Sequence, residues 1–440
     1  MLKQSLSIYE HPAELLQNLI RFDKTNPPGN ERACIQYING LLKDARIKTN
    51  ILARISGRPN LIARLKGTGQ APPLLLYGHV DVVTTADQKW IHPPFEGGTI
   101  DGFVWGRSAL DMKGGVAMLL AAFLKASAEK IPLPGDVLFA TVADEEAGGE
   151  FGVRFLVDEH PDIFNGVRYA FGEFGGFNFS ISGKRFYPIM VAEKQTCSIK
   201  ATFTGPAGHG SLLIHGGTMA KLARELHLLD THQLPVHITP AVRAMIESLA
   251  GNLAGLSRLV IRQLLNPSLT NTILKMLSDQ VSLITPLLHN TVSPTMLQAS
   301  DKVNVIPGEV NPGLIGRLAP GAKPEEMIRE LHALLGEEVR IEVIQAILGP
   351  AAPDLGLFDT LGGILRMLDP TGIPLPYVLS GATDARFLSK LGIQTYGFIP
   401  LQLPDDFNFA NTIHAADERV PVAALDFGVK AIFEALQKFH

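Results

Sequence analysis

The amino-acid sequence predicts an α/β protein in which a mostly parallel mixed sheet, flanked by helices, is interrupted by a smaller α+β domain. Two observations predict this fold. In the first part of the chain, short apolar runs alternate with segments of helical periodicity, as in parallel sheets covered on both faces. From residue 196 to residue 344 the order becomes strand-helix-strand-strand-helix-strand, which is typical of a ferredoxin-like domain. The first rhythm then resumes, so the smaller domain is predicted to be an insertion.

The elements of the larger domain are predicted from periodicity and from their flanking turn signals. Residues 12–22 have helical spacing and stop before the turn sequence Asn26-Pro27-Pro28-Gly29. Apolar runs predict the strands, and longer periodic segments predict the helices. The predicted strands are 60–65, 74–77, 136–142 and 394–399, and the further helices are 114–125, 150–159 and 357–368.

The inserted domain is predicted from four strands and two helices, with a helical stretch between them. Residues 240–289 are rich in Leu, Ile and Met at helical spacings, which predicts extra helices that pack on this domain or at a subunit interface. A wall for an apolar substrate pocket is the alternative. We expect a catalytic domain at 1–194 and 349–440 around an insertion at 195–348. The strands are predicted at 196–203, 294–298, 310–317 and 339–344, and the helices at 217–229 and 324–335.

Composition excludes several classes of function. Hydrophobic residues make up 46% of the 440 residues, and the net charge of -4 provides no basic surface for nucleic acid or acidic membranes. Two cysteines give no disulfide framework and are typical of a reducing compartment. Residues 1–10 lack a secretory signal pattern, and no run approaches the roughly 18 to 20 apolar residues of a membrane helix. We therefore expect a cytoplasmic protein without nucleic-acid or membrane partners.

A histidine and an aspartate follow the apolar run 74–76, in Tyr77-Gly78-His79-Val80-Asp81. Alternation along a strand places His79 and Asp81 on the same face, so that Asp81 can hydrogen-bond the imidazole and fix its tautomer. The alternative is an ordinary Asp–His pair at a polar strand end.

Adjacent carboxylates follow a second apolar run, 137–140, in Asp144-Glu145-Glu146. Neighbouring carboxylates repel each other unless a cation or a proton lies nearby. The alternative for Glu145 and Glu146 is a solvated acidic turn. Asp111 lies in the glycine-containing loop 106–115, and its alternative role is that of a helix N-cap. Strands that end in such residues build the catalytic edge of an open α/β sheet, which predicts a metal-dependent hydrolase.

Taken in order, these segments resemble the signature segments of the cocatalytic-zinc aminoacylase/carboxypeptidase family. That family includes carboxypeptidase G, succinyl-diaminopimelate desuccinylase and carboxypeptidase S. The resemblance runs nearly end to end and implies a zinc-exopeptidase-like catalytic domain with an inserted lid and dimerisation domain. Residues 90–95 and the long helical stretch are similar to the carboxypeptidase S and N-acyl-amino-acid hydrolase subgroup. The matching segments are 77–81, 106–115, 144–146, 171–173 and 413–418.

The resemblance implies two Zn²⁺ ions per chain, for which an oxygen-rich site also tolerates Co²⁺ or Mn²⁺. His79 and Glu173 would bind one ion, Glu146 and His414 would bind the other, and Asp111 would bind both. The glutamate at position 173 is typical of the carboxypeptidase and aminoacylase branch of the family, since aminopeptidase members tend to have aspartate there.

The resemblance also assigns the proton chemistry. Asp81 would orient His79, and Glu145 would be the general base that acts on a zinc-bound hydroxide shared by the two ions and later protonates the leaving amine. Two residues depart from the pattern. Ser108 stands where the family commonly has glycine, which implies a slightly different loop shape, and Gly316 precedes Arg317 where a larger aliphatic residue is usual, which implies a looser strand at Arg317.

Four residues at the insertion match substrate-binding positions of the family. His209 would reach the active site of a partner subunit and stabilise the oxyanion, which implies a homodimer. Asn304, Arg317 and Gly381 would hold the carboxylate of the substrate.

The predicted activity is hydrolysis of an amide or peptide bond next to a free carboxylate. The substrates would be N-acyl amino acids or short peptides cleaved at the C-terminal residue. Alternatives are a dipeptidase, an aminopeptidase or another small-amide amidohydrolase of the same family. A single-metal deacetylase or barrel-type amidohydrolase is less compatible, because barrel enzymes typically open with His-x-His where this strand has His79-Val80-Asp81. Glu145 argues against a catalytically inactive scaffold, which would not need it.

Overall fold

The computed structural model describes residues 5–277 and 284–440. By its internal contacts the chain divides into two compact units. The second unit consists of residues 192–353 and 378–382, and the first unit contains the remainder of the described residues. The domain boundaries expected from the sequence stay a prediction, and the helical stretch expected at 240–289 lies partly outside the described residues.

The described residues contain the predicted helices and strands, together with further elements that the sequence analysis did not predict. The helices are α1 (Pro12–Ile20), α2 (Arg32–Asp44), α3 (Lys113–Glu129), α4 (Val153–Glu159), α5 (Thr218–Thr231), α6 (Pro240–Asn252), α7 (Gly255–Gln263), α8 (Pro267–Leu277), α9 (Pro324–Leu335), α10 (Phe358–Leu368), α11 (Ala385–Leu388), α12 (Phe409–Thr412) and α13 (Val422–Lys438). The strands are β1 (Thr49–Leu52), β2 (Asn60–Leu65), β3 (Leu74–His79), β4 (Thr99–Ile100), β5 (Phe103–Trp105), β6 (Val137–Val142), β7 (Tyr169–Gly172), β8 (Phe179–Ile181), β9 (Lys184–Glu193), β10 (Gln195–Thr204), β11 (Gly208–His209), β12 (Thr291–Gln298), β13 (Val305–Ile306), β14 (Glu309–Leu318), β15 (Arg340–Ile347), β16 (Ile373–Leu379), β17 (Gln394–Gly397) and β18 (Arg419–Pro421).

The main sheet of the first unit has the order β1-β2-β6-β3-β7-β17-β9-β16, and β8 pairs with β9. Its centre, β6-β3-β7-β17, is parallel, while β1, β2 and β9 pair antiparallel. Every residue of β3 and β6 is buried, because helices cover both faces of a parallel centre. Helix α3 is also buried along most of its length and packs against α1 and α13. The predicted fold class is confirmed.

Several elements of the first unit were missed from the sequence, among them α2, α13, β1, β7 and β9. Helix α2 buries Cys34, Ile35, Ile38, Leu41 and Leu42 on one face, and the neighbouring strand β1 lies at the edge of the sheet. The spacing of those apolar residues is helical, so the signal for α2 was present. Strand β1 is four residues long and largely exposed, which leaves no pattern to detect.

The second unit contains an antiparallel sheet in the order β12-β14-β10-β15. Helix α5 follows β10, and α9 lies between β14 and β15, so the chain order is the predicted one. Alternating side chains of β10 and β14 form its core with α9. The described part of the helical stretch forms α6, α7 and α8. No helix within residues 5–277 and 284–440 is both long and apolar enough to span a membrane.

A buried carboxylate connects the end of α10 to the sheet of the first unit. Asp369 accepts hydrogen bonds from Arg185 Nη1 at 3.0 Å, Tyr187 Oη at 2.9 Å and Thr371 Oγ1 at 2.7 Å. Burial by itself would raise the pKa of Asp369, but the bonds from Thr371, Arg185 and Tyr187 outweigh it and lower the pKa to about 2.

We expect Asp369→Asn to lower the free energy of unfolding by about 1 to 3 kcal/mol at neutral pH, because buried donors lose a charged acceptor. The pKa of Asp369 is lower in the folded protein than in an unfolded chain. Its stabilisation is therefore complete above about pH 4 and is lost as the pH falls towards 2. Urea unfolding between pH 7 and pH 3 measures both effects. Asp426→Asn, exposed on α13, is the control. A difference from wild type that stays constant with pH would contradict the expectation.

Candidate metal centre

Three parallel strands deliver potential ligands to one edge of the main sheet. His79 is the last residue of β3, Glu145 and Glu146 lie in the turn after β6, and Glu173 directly follows β7. Strand β3 is the hydrogen-bonded neighbour of both β6 and β7. Because parallel strands all end at the same edge, side chains far apart in sequence meet there.

Asp111 and His414 complete the cluster from two loops. Asp111 lies just before α3, and a Cβ on the following Gly114 would lie 2.1 Å from the carbonyl oxygen of Ala109, so the turn into the helix requires glycine there. His414 follows α12 in a left-handed conformation, with φ +59°.

The carboxylate of Asp111 faces two histidines. Its Oδ1 lies 3.2 Å from His79 Nε2, and its Oδ2 lies 3.1 Å from His414 Nε2. Glu173 Oε2 lies 3.3 Å from His79 Nε2, and Glu146 Oε1 lies 3.3 Å from His414 Nε2. The five residues therefore form two groups of one histidine and one glutamate, and Asp111 belongs to both.

Glu145 lies beside the first group. Ligand atoms of His79, Glu145 and Glu173 lie within 4.8 Å of one another, as do those of His79, Asp111 and Glu146. Each set of three side chains has the spacing of a metal-binding group.

The residues present fit a metal ion. Within the described residues, Glu146 Oε1 and Glu173 Oε2 are buried and accept no hydrogen bond. An unsatisfied buried carboxylate oxygen is costly, and a divalent cation removes that cost. Imidazole nitrogens and carboxylate oxygens are also the donors that zinc accepts.

Burial, together with neighbouring negative charge, raises the pKa values of several carboxylates in the cluster. Burial raises the pKa of Glu173 to about 8 and raises that of Glu145 well above its usual value, with the charge of Glu173 contributing. The carboxylates of Asp111 and Glu146, which lie beside its imidazole, raise the pKa of His414 to about 10. Asp384 is a further buried carboxylate without a hydrogen bond in the described residues, and burial raises its pKa to about 7. Asp384 was not among the site residues predicted from the sequence.

Asp81 has a larger structural role than the expected one. The closest partner of His79 Nδ1 is the backbone oxygen of Asp81, at 3.0 Å, while the Asp81 carboxylate oxygen Oδ1 lies at 3.4 Å. The same carboxylate accepts the backbone N–H groups of Glu145, at 3.2 Å, and Glu146, at 3.1 Å. Asp81 thus connects the end of β3 to the acidic turn.

Buried residues behind the acidic turn were missed from the sequence. Asn26 donates to Asp81 Oδ2 at 2.8 Å and to Asp144 Oδ1 at 3.0 Å. Arg58 forms ion pairs with Asp144, at 3.0 Å, and with Glu31, at 2.7 Å. These residues come from separate loops, and only the turn at Asn26 had a sequence signal.

The four remaining predicted site residues lie in the second unit. His209 on β11 is exposed and pairs with Val305 of β13, and the carbonyl of Asn304 accepts the N–H of Gly210 at 2.8 Å. His209 and Asn304 are therefore neighbours. Arg317 is half-buried on β14 and donates to Thr196 Oγ1 at 3.0 Å. Gly381 follows β16, and the roles of these residues stay predictions.

Residues 75–438 match the family model described as Peptidase family M20/M25/M40. The chain belongs to this family. The expected relationship is confirmed, and the protein is a metallopeptidase-type hydrolase of the M20 family.

Relatives of this M20 protein have several related names. It is 26% identical over 396 residues to "Probable carboxypeptidase S-like 2" of Dictyostelium discoideum, covering 86% of this chain and 73% of that protein. Human N-fatty-acyl-amino acid synthase/hydrolase PM20D1 is 27% identical over 382 residues, covering 83% and 74%. The crystal structure of an M20 family metallo-carboxypeptidase from Sulfolobus solfataricus has a TM-score of 0.67 at 14% identity, covering 97% and 98%. The last comparison shows the fold.

We expect zinc to raise the melting temperature of this M20 protein, because a ligand that binds only the folded state stabilises it by mass action. Asp111→Asn should lose most of that increase, since its carboxylate faces both histidines. Thermal unfolding with and without added zinc, after treatment with a chelator, measures the effect. Asp426→Asn is the matched control, and an undiminished zinc effect in Asp111→Asn would remove Asp111 from the centre.

Proposed function

We propose that this M20 protein hydrolyses an amide or peptide bond next to a free carboxylate, using two Zn²⁺ ions. The observation that carries the proposal is the position of Asp111, whose two carboxylate oxygens face different histidines. One carboxylate placed in this way is suited to two ions. A single-metal deacetylase would have no use for the second histidine and glutamate.

The proposed ligands follow the two groups of side chains. His79, Glu173 and Asp111 would hold one ion, and His414, Glu146 and Asp111 would hold the other. Bound divalent ions would lower the pKa of a water molecule and polarise the scissile carbonyl. Co²⁺ or Mn²⁺ would also suit these donors.

Glu145 is the proposed general base. Its carboxylate lies within 4.8 Å of ligand atoms of His79 and Glu173, while its backbone N–H is held by Asp81. Since His79, Glu173 and Asp111 already supply three ligands, Glu145 is free to accept a proton from the attacking water. It then returns this proton to the leaving nitrogen, so that water and amide give a carboxylic acid and an amine.

The proposed substrate class is N-acyl amino acids, or short peptides cleaved at the C-terminal residue. Support comes from relatives named as an N-fatty-acyl-amino acid hydrolase and as aminoacylase-1 from Sus scrofa, the latter 24% identical and covering 96% of this chain and 93% of that protein. Arg317, with Asn304 and Gly381, would bind the substrate carboxylate, because a guanidinium binds a carboxylate through two parallel hydrogen bonds.

A homodimer is part of the proposal. His209 is exposed on the second unit, where a partner subunit could use it, and β12 forms an edge of the four-stranded sheet with exposed Met296 and Leu297. A cytoplasmic location is proposed from the two buried free cysteines, Cys34 and Cys197.

We expect the zinc-loaded protein to release amine from N-acyl amino acids and dipeptides that have a free α-carboxylate, and to release none when that carboxylate is amidated. Glu145→Gln should bind zinc and lose about 10²- to 10⁴-fold in turnover, because it removes the proton acceptor. Amine release and zinc content measure the two properties together.

Glu150→Gln is the matched control for this experiment, since Glu150 is an exposed glutamate on the same segment. Hydrolysis of amidated substrates at equal rates would contradict the carboxylate requirement. Full activity in Glu145→Gln would remove Glu145 from the mechanism.

We expect His209→Ala and Glu145→Gln chains to be nearly inactive separately and to recover activity when mixed. If His209 serves the partner subunit, each heterodimer has one complete centre, and random mixing restores about a quarter of wild-type activity. Activity after unfolding and refolding the chains together measures this recovery. The same treatment of each variant alone is the control, and an absence of recovery despite dimer formation would rule out the shared site.

A further inference from the structure

We propose that Arg107 and Glu418 form a positioning clamp that sets the distance between Asp111 and His414. We call this pair the Arg107–Glu418 clamp. The inference rests on the proposed function in one respect, since it takes Asp111 and His414 to be metal ligands.

Glu418 holds the loop that carries Asp111. Its side chain is fully buried, and its Oε2 accepts hydrogen bonds from Arg107 Nη1 at 2.8 Å and from the backbone N–H of Ser108 at 2.9 Å. Its Oε1 accepts the N–H groups of Leu110, at 2.8 Å, and Asp111, at 3.2 Å. One carboxylate therefore takes four donors from residues 107–111, and one of them is the backbone of Asp111 itself.

Arg107 holds the loop that carries His414. Its fully buried guanidinium donates from Nη1 to the carbonyl of Ala415 at 3.1 Å, and from Nη2 to the carbonyl of His414 at 3.3 Å. Nη2 also donates to Gln88 Oε1 at 2.6 Å, and Gln88 Nε2 donates to the His414 carbonyl at 2.8 Å. The Trp90 ring lies 5.1 Å from the guanidinium carbon. The pair thus connects both loops through the ion pair at its centre.

The two loops need such support because each contains a left-handed residue with a Cβ. Ser108 has φ +72° and His414 has φ +59°, conformations that are unfavourable for any residue except glycine. The N–H of Ser108 is bound by Glu418, and the carbonyl of His414 is bound by Arg107 and Gln88. The clamp therefore binds the backbone at two residues, Ser108 and His414, whose left-handed conformations are unfavourable.

A buried ion pair contributes little to stability by itself, since apolar residues of similar size often replace one without loss. The arrangement of this pair is better explained by geometry. Asp111 can serve two ions only if its two oxygens stay aligned with His79 and His414, which belong to different segments. Hydrogen-bonding partners behind metal ligands commonly control metal affinity in this way.

The test compares Glu418→Gln and Gln88→Ala with the wild-type protein, using Zn²⁺ and Co²⁺ as probes. In Glu418→Gln the amide NH₂ group would face N–H donors of residues 107–111, from which it cannot accept hydrogen bonds. We therefore expect zinc affinity to fall about 10- to 100-fold and the visible spectrum of the Co²⁺-loaded protein to change. Affinity is measured by competition with a chelator. Gln88 is half-buried, so Gln88→Ala is expected to fold. This variant should keep the ion proposed at His79 and Glu173, and should bind the ion proposed at His414 and Glu146, the second ion, more weakly.

Asp369→Asn is the matched control, because it also removes a buried carboxylate charge paired with an arginine. Equal losses of zinc affinity in Glu418→Gln and Asp369→Asn would overturn the clamp, since the effect would then be general destabilisation. Wild-type affinity and an unchanged Co²⁺ spectrum in Glu418→Gln would also overturn it. If Glu418→Gln does not fold, an unchanged second ion in Gln88→Ala overturns it instead.

The Asp111→Asn variant separates the two proposals. If Asp111→Asn loses zinc while Glu418→Gln and Gln88→Ala keep it fully, the proposed function stands and the clamp is wrong. If Asp111→Asn retains both ions at wild-type affinity, the proposed metal centre fails, and the clamp fails with it.

Discussion

Three carboxylates, those of Asp111, Glu146 and Glu173, form one cluster at the edge of the sheet, where each ionised group raises the cost of ionising the next. Burial raises the pKa of Glu173 to about 8, and two oxygens of the group accept no hydrogen bond in the described part of the chain. A fold that accumulates negative charge in this way needs cations. This requirement for cations explains how the side chains around the cluster are arranged.

The carboxylates behind the cluster have hydrogen-bond donors from the protein, whereas two oxygens within the cluster have none among the described residues. Asp81 accepts two backbone N–H groups and the Asn26 amide, Asp144 is paired with Arg58, and Glu418 accepts four donors. Protein donors therefore satisfy the outer carboxylates, while the inner oxygens of Glu146 and Glu173 are left for another partner. If protein donors satisfied every carboxylate, the cluster would be a stable polar core with little affinity for metal. This difference between outer and inner groups is what makes it a candidate metal centre.

The sequence predicted the strands that lead to His79 and to Glu145, because each contains an apolar run with a clear pattern. Strand β7, which leads to Glu173, was not predicted; residues 171–173 were identified only through the family resemblance. The sequence also predicted the order of the second unit, since strand and helix periodicities differ there. The hydrogen-bonded pairs that hold the site residues in place could not be predicted in the same way. Asn26 and Asp81 are 55 residues apart, and Arg107 and Glu418 are 311 residues apart, so only the folded chain shows that they meet. Strand β1 was missed for another reason, since an exposed edge strand has no apolar pattern.

Ser108 shows how the supporting groups and the ligands depend on each other. A glycine there would adopt φ +72° without strain, whereas a serine needs compensation. Here the N–H of Ser108 is bound by Glu418, and its Oγ accepts the N–H of Lys113 at 3.0 Å, at the start of α3. The serine thus helps to begin the helix that follows Asp111, and its backbone relies on the same carboxylate that binds the N–H of Asp111. A serine with a left-handed backbone is accommodated here because its N–H is bound by Glu418. Under the proposed clamp, the geometry of the ligands is controlled by such hydrogen bonds behind them.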